Sequence, residues 1–144
     1  MHPNTDQPAR RPIPAVAAVM IREGKLLLIR RGVEPSMGKW SIPGGSIEWG
    51  EPMMEAVKRE VREETGLEVE VGRIAGVFDL IIRDEESGPA FHYVIIDLFA
   101  SPVGGTLTPG DDAVEARWVP IEDLGSYELS PFLLSRLKQM RVVT

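Results

Sequence analysis

The chain has 144 residues, of which 43% are hydrophobic and 26% charged, the composition of a globular protein with one domain. Its formal net charge of −6 argues against a protein that wraps a nucleic-acid backbone, because such proteins need clustered lysine and arginine. The lack of cysteine excludes disulfides and thiolate metal sites and fits a cytoplasmic location, and no apolar run approaches the roughly 20 residues that cross a membrane.

The first predicted elements follow a polar, proline-rich segment. We interpret residues 1–12 as a flexible tail and residues 13–144 as a single domain. Two apolar runs, 14–22 and 25–31, are separated only by Glu23-Gly24, which predicts a β-hairpin. A short extended segment over residues 40–42 follows.

A helix is predicted next, between Pro52 and Gly66. Proline suits the first position of a helix, and glycine suits the position after its end, where φ is often positive. Within these limits, Met54, Val57 and Val61 recur at helical spacing. This spacing predicts that the three side chains face the core.

The remainder of the chain alternates strands and turns. The predicted strands are 67–71, 74–83, 91–100 and 115–119, and the predicted turns and loops are 84–89, 104–105 and 110–112. The run 91–100 is apolar on both faces, which predicts a central strand. Ser130 and Pro131 predict the N-cap and first turn of a last helix. The apolar residues of this helix are Leu133, Leu134, Leu137 and Met140. The pattern predicts an α+β fold in α/β/α layers.

Three glutamates share one face of the predicted first helix. Glu60, Glu63 and Glu64 fall at i, i+3 and i+4, so their like charges destabilise the helix. A hard cation such as Mg²⁺, which takes oxygen ligands, would explain the arrangement. The alternative is an ordinary solvated face, for which the opposite charges of Glu55 with Arg59, and of Arg59 with Glu63, are typical.

The spacing of these residues resembles the signature of the Nudix hydrolase family. That signature is glycine, five residues, glutamate, seven residues, and then Arg-Glu-aliphatic-x-Glu-Glu-x-Gly-aliphatic. The matching positions, which we call the Nudix box, are Gly45, Glu51, Arg59, Glu60, Val61, Glu63, Glu64, Gly66 and Leu67. The likeness extends to residues 40–45 and 117–124. It implies an α/β/α sandwich with a mixed central β-sheet and a loop–helix–loop catalytic motif.

The resemblance also implies a chemistry. The family hydrolyses the pyrophosphate bond of a nucleoside diphosphate linked to a moiety X, giving a nucleoside monophosphate and phospho-X. Glu51 and Arg59 are implied to pair and to support the loop. The implied ligands of Mg²⁺ or Mn²⁺ are Glu60, Glu63, Glu64 and the carbonyl of Gly45.

A carboxylate must also accept the proton of the attacking water. The resemblance leaves this role open among the box glutamates Glu60, Glu63 and Glu64. It is open equally to two acids of the later loop region, Asp112 and Glu115, whose ordinary interpretation is that of solvated loop acids.

The substrate is indicated less directly. Candidate substrate contacts are Arg30, Trp49, Phe78 and His92, and Arg31 and Arg83 could also contact phosphates. Each of these residue types also occurs often in purely structural roles. The stretch from His92 to Val94, with Asp97, is similar to small ADP-ribose pyrophosphatases, so ADP-ribose is the leading expected substrate.

Two other functions remain as alternatives. One is a nucleoside triphosphate pyrophosphohydrolase that removes oxidised nucleotides. The other is a non-catalytic nucleotide sensor, which the complete set of box carboxylates disfavours. The expected partner is a small nucleotide, without nucleic acid or membrane, and the family resemblance is also compatible with a homodimer.

Overall fold

The computed structural model describes residues 11–144, so the tail expected at 1–12 lies outside the described residues except for Arg11 and Pro12. The strands are β1 (Ile13–Val19), β2 (Ile21–Arg22), β3 (Lys25–Arg31), β4 (Trp40–Ser41), β5 (Gly44–Ser46), β6 (Leu67–Asp84), β7 (Gly88–Gly105) and β8 (Ala113–Pro120). The helices are α1 (Met53–Thr65), a 3₁₀-helix (Ile121–Ser126) and α2 (Leu133–Gln139). None of the helices in residues 11–144 has the length and apolar character needed to cross a membrane.

The strands form two four-stranded sheets. The first has the order β5-β1-β7-β6 and is mixed, because β1 runs parallel to β7 while its other pairings are antiparallel. In the second, β3 pairs with β8 on one side and with the short strands β2 and β4 on the other. The predicted α+β class is confirmed, but the strands divide between two sheets.

Strand β1 connects the two halves of the core. Its odd-numbered residues, such as Ala15 and Ala17, belong to the hydrophobic cluster that contains Leu133 and Leu137 of α2. Its even residues, such as Val16, belong to the cluster that α1 covers. Since neighbouring side chains on a strand point to opposite faces, β1 is buried between the two helices, which gives the α/β/α layering.

The expected hairpin of residues 14–22 with 25–31 was wrong for most of its length. Only the two residues of β2 pair with β3, across the turn at Glu23-Gly24, where both residues have positive φ. β1 instead pairs with β5 and β7. The physical reason is that β1 is apolar on both faces, and such a strand is stabilised in the interior of a sheet.

The segment after α1 forms one long hairpin. Residues predicted as separate strands, 67–71 and 74–83, are a single strand, β6, whose register shifts between Val71 and Ile74. The partner strand β7 lies between β1 and β6, so the prediction of a central strand is confirmed.

Helix α1 ends as expected before Gly66, which has a φ of 74°, but it begins one residue later than expected, because Pro52 is its N-cap. Val57 and Val61 are buried, as predicted. Met54 was predicted wrongly, because its side chain is 42% exposed. In the first turn it is Met53 that packs against the core.

Helix α2 begins later than predicted. Phe132, with a φ of 67°, precedes the helix, and no side chain caps it. Ser130 contributes only its carbonyl, which accepts a hydrogen bond from the Leu133 amide at 3.2 Å. Leu133 and Leu137 are buried, whereas Leu134 is exposed.

Gly66 gives a direct test of how α1 ends. A Cβ at this position would lie 2.5 Å from the Thr106 carbonyl oxygen, in addition to the strain of positive φ. We therefore expect Gly66→Ala to lower the free energy of unfolding by about 2–4 kcal/mol. Gly24→Ala is the matched control, because Gly24 has a φ of 75° and open space around it. Urea unfolding that gives equal losses for both variants would contradict the packing argument.

Candidate active site

The loop before α1 approaches the helix closely through two glycines. Gly45 pairs with Val16 on the neighbouring strand, and a Cβ on Gly45 would lie 2.6 Å from the carboxylate carbon of Glu60. The amide of Gly44 donates a hydrogen bond to Glu64 Oε1 at 3.0 Å. A side chain at residue 45 would therefore force the Glu60 carboxylate to move.

Glu64 is a buried carboxylate with one backbone donor. Its residue is 3% exposed. Burial raises the pKa of Glu64 to about 8, the negative charge of Glu60 adds to the effect, and the Gly44 amide opposes it. Burial likewise raises the pKa of Glu60, although the Arg59 hydrogen bond acts against this. Burial thus disfavours the charged form of both carboxylates, and only Glu60 is paired directly with a cation, Arg59.

Arg59 connects the acids of the site. Its Nε and Nη2 donate to the two carboxylate oxygens of Glu51 at 2.6 and 2.9 Å. Its Nη1 donates to Glu60 at 2.7 Å and to Glu63 at 3.0 Å. Its Nη2 also donates to the Ser46 carbonyl at 3.1 Å. Hydrogen bonding to Arg59 lowers the pKa of Glu51.

This network differs in one respect from the predicted helix pairs. Arg59 pairs with Glu63 as expected, but Glu55 lies 3.7 Å from Lys58 instead. Arg59 turns towards Glu51, which offers a bidentate acceptor that matches the planar guanidinium.

The donor chemistry of the site fits a hard divalent cation. Glu64, which is buried, and Glu60, which is partly buried, supply carboxylate oxygens next to the loop of Gly45, and oxygen is the donor that such cations prefer. Within residues 11–144, no three acidic or histidine side chains are already gathered as a metal-binding group. The present contacts explain this, because Glu60 and Glu63 are engaged by Arg59 and Glu64 by the Gly44 amide.

A cavity of about 400 Å³ opens beside these acids. It extends from Glu60 and Glu64 of α1 across β5 and β1 to α2. Its size lies within the usual range for small-molecule sites. Its apolar walls come mainly from Ile42, Leu80, Ile82, Tyr93 and Ile95.

The two candidate loop acids differ in position. Asp112 lines the cavity, and its negative charge contributes to the raised pKa values of Glu60 and Glu64. Glu115 is not part of the cavity wall and forms ion pairs with Arg30 at 3.0 Å and Arg117 at 2.9 Å.

The four predicted substrate contacts are not brought together at the cavity. Trp49 is fully exposed, Phe78 packs against the core cluster beneath α2, and Arg30 is paired with Glu115. His92 lies on the opposite face of the sheet from Tyr93, where its Nε2 is 3.4 Å from Asp79 Oδ1. None of them lines the cavity.

Residues other than the four predicted contacts line the cavity. Among them are Arg31, Tyr93 and Arg136. Arg31 is a candidate phosphate contact from the sequence, whereas sequence reasoning gave Tyr93 and Arg136 no role in the site. Arg31 and Tyr93 are direct neighbours of the predicted Arg30 and His92, so they lie on the same strands but on the other face. The apolar alternation of β7 contains the signal, because Tyr93 and Ile95 share the face of the buried Ala15.

The pKa of Glu64 predicts how the metal-free protein responds to pH. The folded protein holds a proton on Glu64 up to about pH 8, whereas an unfolded chain releases it near its ordinary pKa of 4.5. Stability contributed by this group is therefore complete below about pH 4.5 and is lost as the pH rises through 8. In EDTA, we expect Glu64→Gln to raise the melting temperature at pH 8.5 by roughly 5 °C or more, with little difference at pH 5. An equal shift at both pH values would contradict the buried-charge explanation.

Comparisons with known proteins support the resemblance of the Nudix box to that family's signature. The NUDIX domain family model matches residues 11–140. An ADP-ribose pyrophosphatase from Methanocaldococcus jannaschii is 39% identical over 113 residues, which cover 78% of this chain and 64% of the relative. A human 8-oxo-dGDP phosphatase is 33% identical over 109 residues, which cover 73% of this chain and 31% of the relative. The chain thus spans less than two thirds of the length of either relative.

The fold is also found among solved structures. The crystal structure of a MutT NUDIX hydrolase from Burkholderia pseudomallei aligns with a TM-score of 0.80 and 30% identity. The alignment covers 90% of this chain and 98% of that structure. With the family model spanning almost all the described residues, the chain belongs to the Nudix family.

Proposed function

We propose that this protein hydrolyses the pyrophosphate bond of a nucleoside diphosphate linked to a second moiety, with ADP-ribose as the leading substrate. The products would be AMP and ribose 5-phosphate. The observation that carries the proposal is the cavity of about 400 Å³ whose wall includes the box carboxylates Glu60 and Glu64. The 39% identity to an ADP-ribose pyrophosphatase supports the choice of substrate.

Nudix hydrolases generally need divalent cations, and here Mg²⁺ or Mn²⁺ would be held by Glu60, Glu63, Glu64 and the Gly45 carbonyl. When bound, such an ion neutralises phosphate oxygens and makes a coordinated water more acidic. Arg59 holds Glu60 and Glu63 in place through Nη1 and is itself fixed by Glu51.

The structure bears on which group accepts the proton of the attacking water. Asp112 lines the cavity, whereas both oxygens of the Glu115 carboxylate are engaged by arginines outside it. Among the loop acids, we therefore propose Asp112 as the general base. The box glutamates stay open as alternatives, since Glu60 and Glu64 border the same cavity.

The second candidate function is pyrophosphohydrolysis of oxidised nucleoside triphosphates. The 33% identity to an enzyme named as an 8-oxo-dGDP phosphatase supports an oxidised nucleotide as the substrate, although the substrate in that name is a diphosphate. A cytoplasmic location and a homodimer stay predictions.

Product identification distinguishes the two functions. The full chain is incubated with Mg²⁺ and either ADP-ribose or 8-oxo-dGTP, and the products are separated by chromatography, with EDTA as the control. AMP and ribose 5-phosphate from ADP-ribose support the leading proposal. Pyrophosphate from 8-oxo-dGTP, with ADP-ribose left intact, would replace it with the second function.

A further inference from the structure

A buried arginine lies at the α2 end of the cavity. Arg136 is 3% exposed and Asp97 is fully buried. Arg136 donates from Nε to Asp97 Oδ2 at 3.0 Å and from Nη2 to Oδ1 at 2.7 Å. Sequence reasoning gave neither residue a role in binding, and the mechanism above uses neither.

The third guanidinium nitrogen of Arg136, Nη1, is not used in the pair with Asp97. It has no hydrogen-bond partner within residues 11–144. In the same part of the chain, no buried side-chain nitrogen or oxygen lacks a partner. Nη1 is therefore not sealed in the core, and the accessible space beside Arg136 is the cavity that it lines.

The strand register relates the backbone of Asp97, the partner of Arg136, to the Nudix box. Asp97 is paired with Ala17 on β1, and Ala17 is paired with Gly44 on β5. The amide of Gly44 contacts Glu64. Two strand spacings, roughly 10 Å, thus separate the backbone of Asp97 from the box loop. This separation leaves room for a sugar between a diphosphate at the box and a group at Arg136.

The charge of Arg136 and the residues of the cavity wall beside it indicate which chemical group could bind there. The positive charge of Arg136 is neutralised by Asp97, so its remaining donor suits a neutral acceptor better than a phosphate. Arg31 also lines the cavity, and its Nε donates to the neutral Pro35 carbonyl oxygen, so its charge is better suited to a phosphate. The nearby walls of Tyr93, Ile95 and Leu80 suit a flat aromatic base more than a polyhydroxylated sugar.

We propose that Arg136 is a specificity-determining residue that donates from Nη1 to a carbonyl oxygen or ring nitrogen of the substrate's nucleobase. Asp97 is then a positioning residue that fixes the guanidinium plane. This inference rests on the proposed nucleotide hydrolysis, but it concerns binding and is tested without turnover.

The test compares ligands with and without a base. Binding of AMP, GMP, CMP, UMP and ribose 5-phosphate is measured by calorimetry with Mg²⁺ for the wild type and for Arg136→Lys. Lysine can pair with Asp97, but it cannot present a second planar donor at the same time. We expect the tightest of the four nucleotides to bind about tenfold or more weakly to the variant, whereas ribose 5-phosphate changes less than about twofold. Arg62→Lys, an exposed arginine near Glu68, is the matched control.

The results separate base recognition from other roles. Equal weakening of the nucleotide and of ribose 5-phosphate would assign Arg136 to phosphate binding or to structure and overturn the proposal. Unchanged nucleotide affinity would also overturn it, as would wild-type protein that binds no nucleotide more tightly than ribose 5-phosphate. A lack of ADP-ribose hydrolysis would instead remove the proposed function and leave this binding test intact.

A second variant tests the proposal even if Arg136→Lys fails to fold. Breaking a buried ion pair can unfold a protein, whereas replacing both partners by apolar residues of similar volume often preserves the fold. The double variant Asp97→Leu with Arg136→Met is therefore measured with the same ligands after its melting curve is recorded. If this folded variant retains the wild-type preference for a nucleotide over ribose 5-phosphate, Arg136 does not recognise the base.

Discussion

Replacing Glu64 by glutamine is expected to lower kcat/KM for ADP-ribose by roughly 10²–10⁴-fold while the protein stays folded. The substitution keeps the side-chain volume and an acceptor oxygen for the Gly44 amide, which now bonds Glu64 at 3.0 Å. It removes the negative charge that a divalent cation needs. Because that charge is unfavourable in the metal-free protein, the loss of activity should come with equal or greater stability. Steady-state kinetics and melting curves measure the two effects.

Glu55→Gln is the matched control for this prediction. Glu55 lies on the same helix, but it is exposed and its nearest cation is Lys58 at 3.7 Å. We expect its kcat/KM to stay within about twofold of the wild type, since exposed pairs contribute little. Hydrolysis by Glu64→Gln at the wild-type rate would refute the assignment of Glu64 as a metal ligand.

Replacing Arg59 by methionine is expected to reduce both stability and activity. Arg59 is the shared donor to Glu51, Glu60 and Glu63, and the side chains of Arg59 and Glu51 are only 17% and 14% exposed. Without it, these acids lose their counter-charge. We expect the free energy of unfolding to fall by about 1–3 kcal/mol, a value reduced for partial solvent exposure. We also expect kcat/KM to fall roughly 10–100-fold, as for other residues that orient metal ligands.

A double-mutant cycle tests whether the effect passes through Glu51. We expect Arg59→Met and Glu51→Gln to show a coupling energy of about 1 kcal/mol or more in urea unfolding. Arg62→Met is the control, because Arg62 is exposed and its contact to Glu68 is 3.7 Å long. Additive effects at positions 51 and 59 would show that the two side chains act independently.

Local sequence signals predicted the elements that depend on neighbouring residues. The limits of α1 follow from Pro52 and Gly66, whose backbone preferences act within one turn. The burial of Val57 and Val61 follows from helical spacing. Met54 has the same spacing and is exposed, because spacing gives the direction of a side chain but not whether another layer covers that turn.

The pairing of strands depended on the whole fold. Residues 14–22 and 25–31 are adjacent in sequence, yet β1 pairs with β7, far along the chain. A hairpin is the closest available pairing, but a strand that is apolar on both faces gains more by burial in the sheet. No local pattern distinguishes these outcomes.

The sequence by itself determined which acids are grouped around α1, because the box acids, Arg59 and the glycines lie on one short loop and helix, whose geometry is local. Only the tertiary structure decided what surrounds them. It selected Arg31 and Tyr93 over their neighbours Arg30 and His92, and it brought Arg136 from the last helix to Asp97 on the central strand. The physical reason is that a cavity wall is built from strands and helices distant in sequence, and a shift of one residue along a strand moves a side chain to the other face.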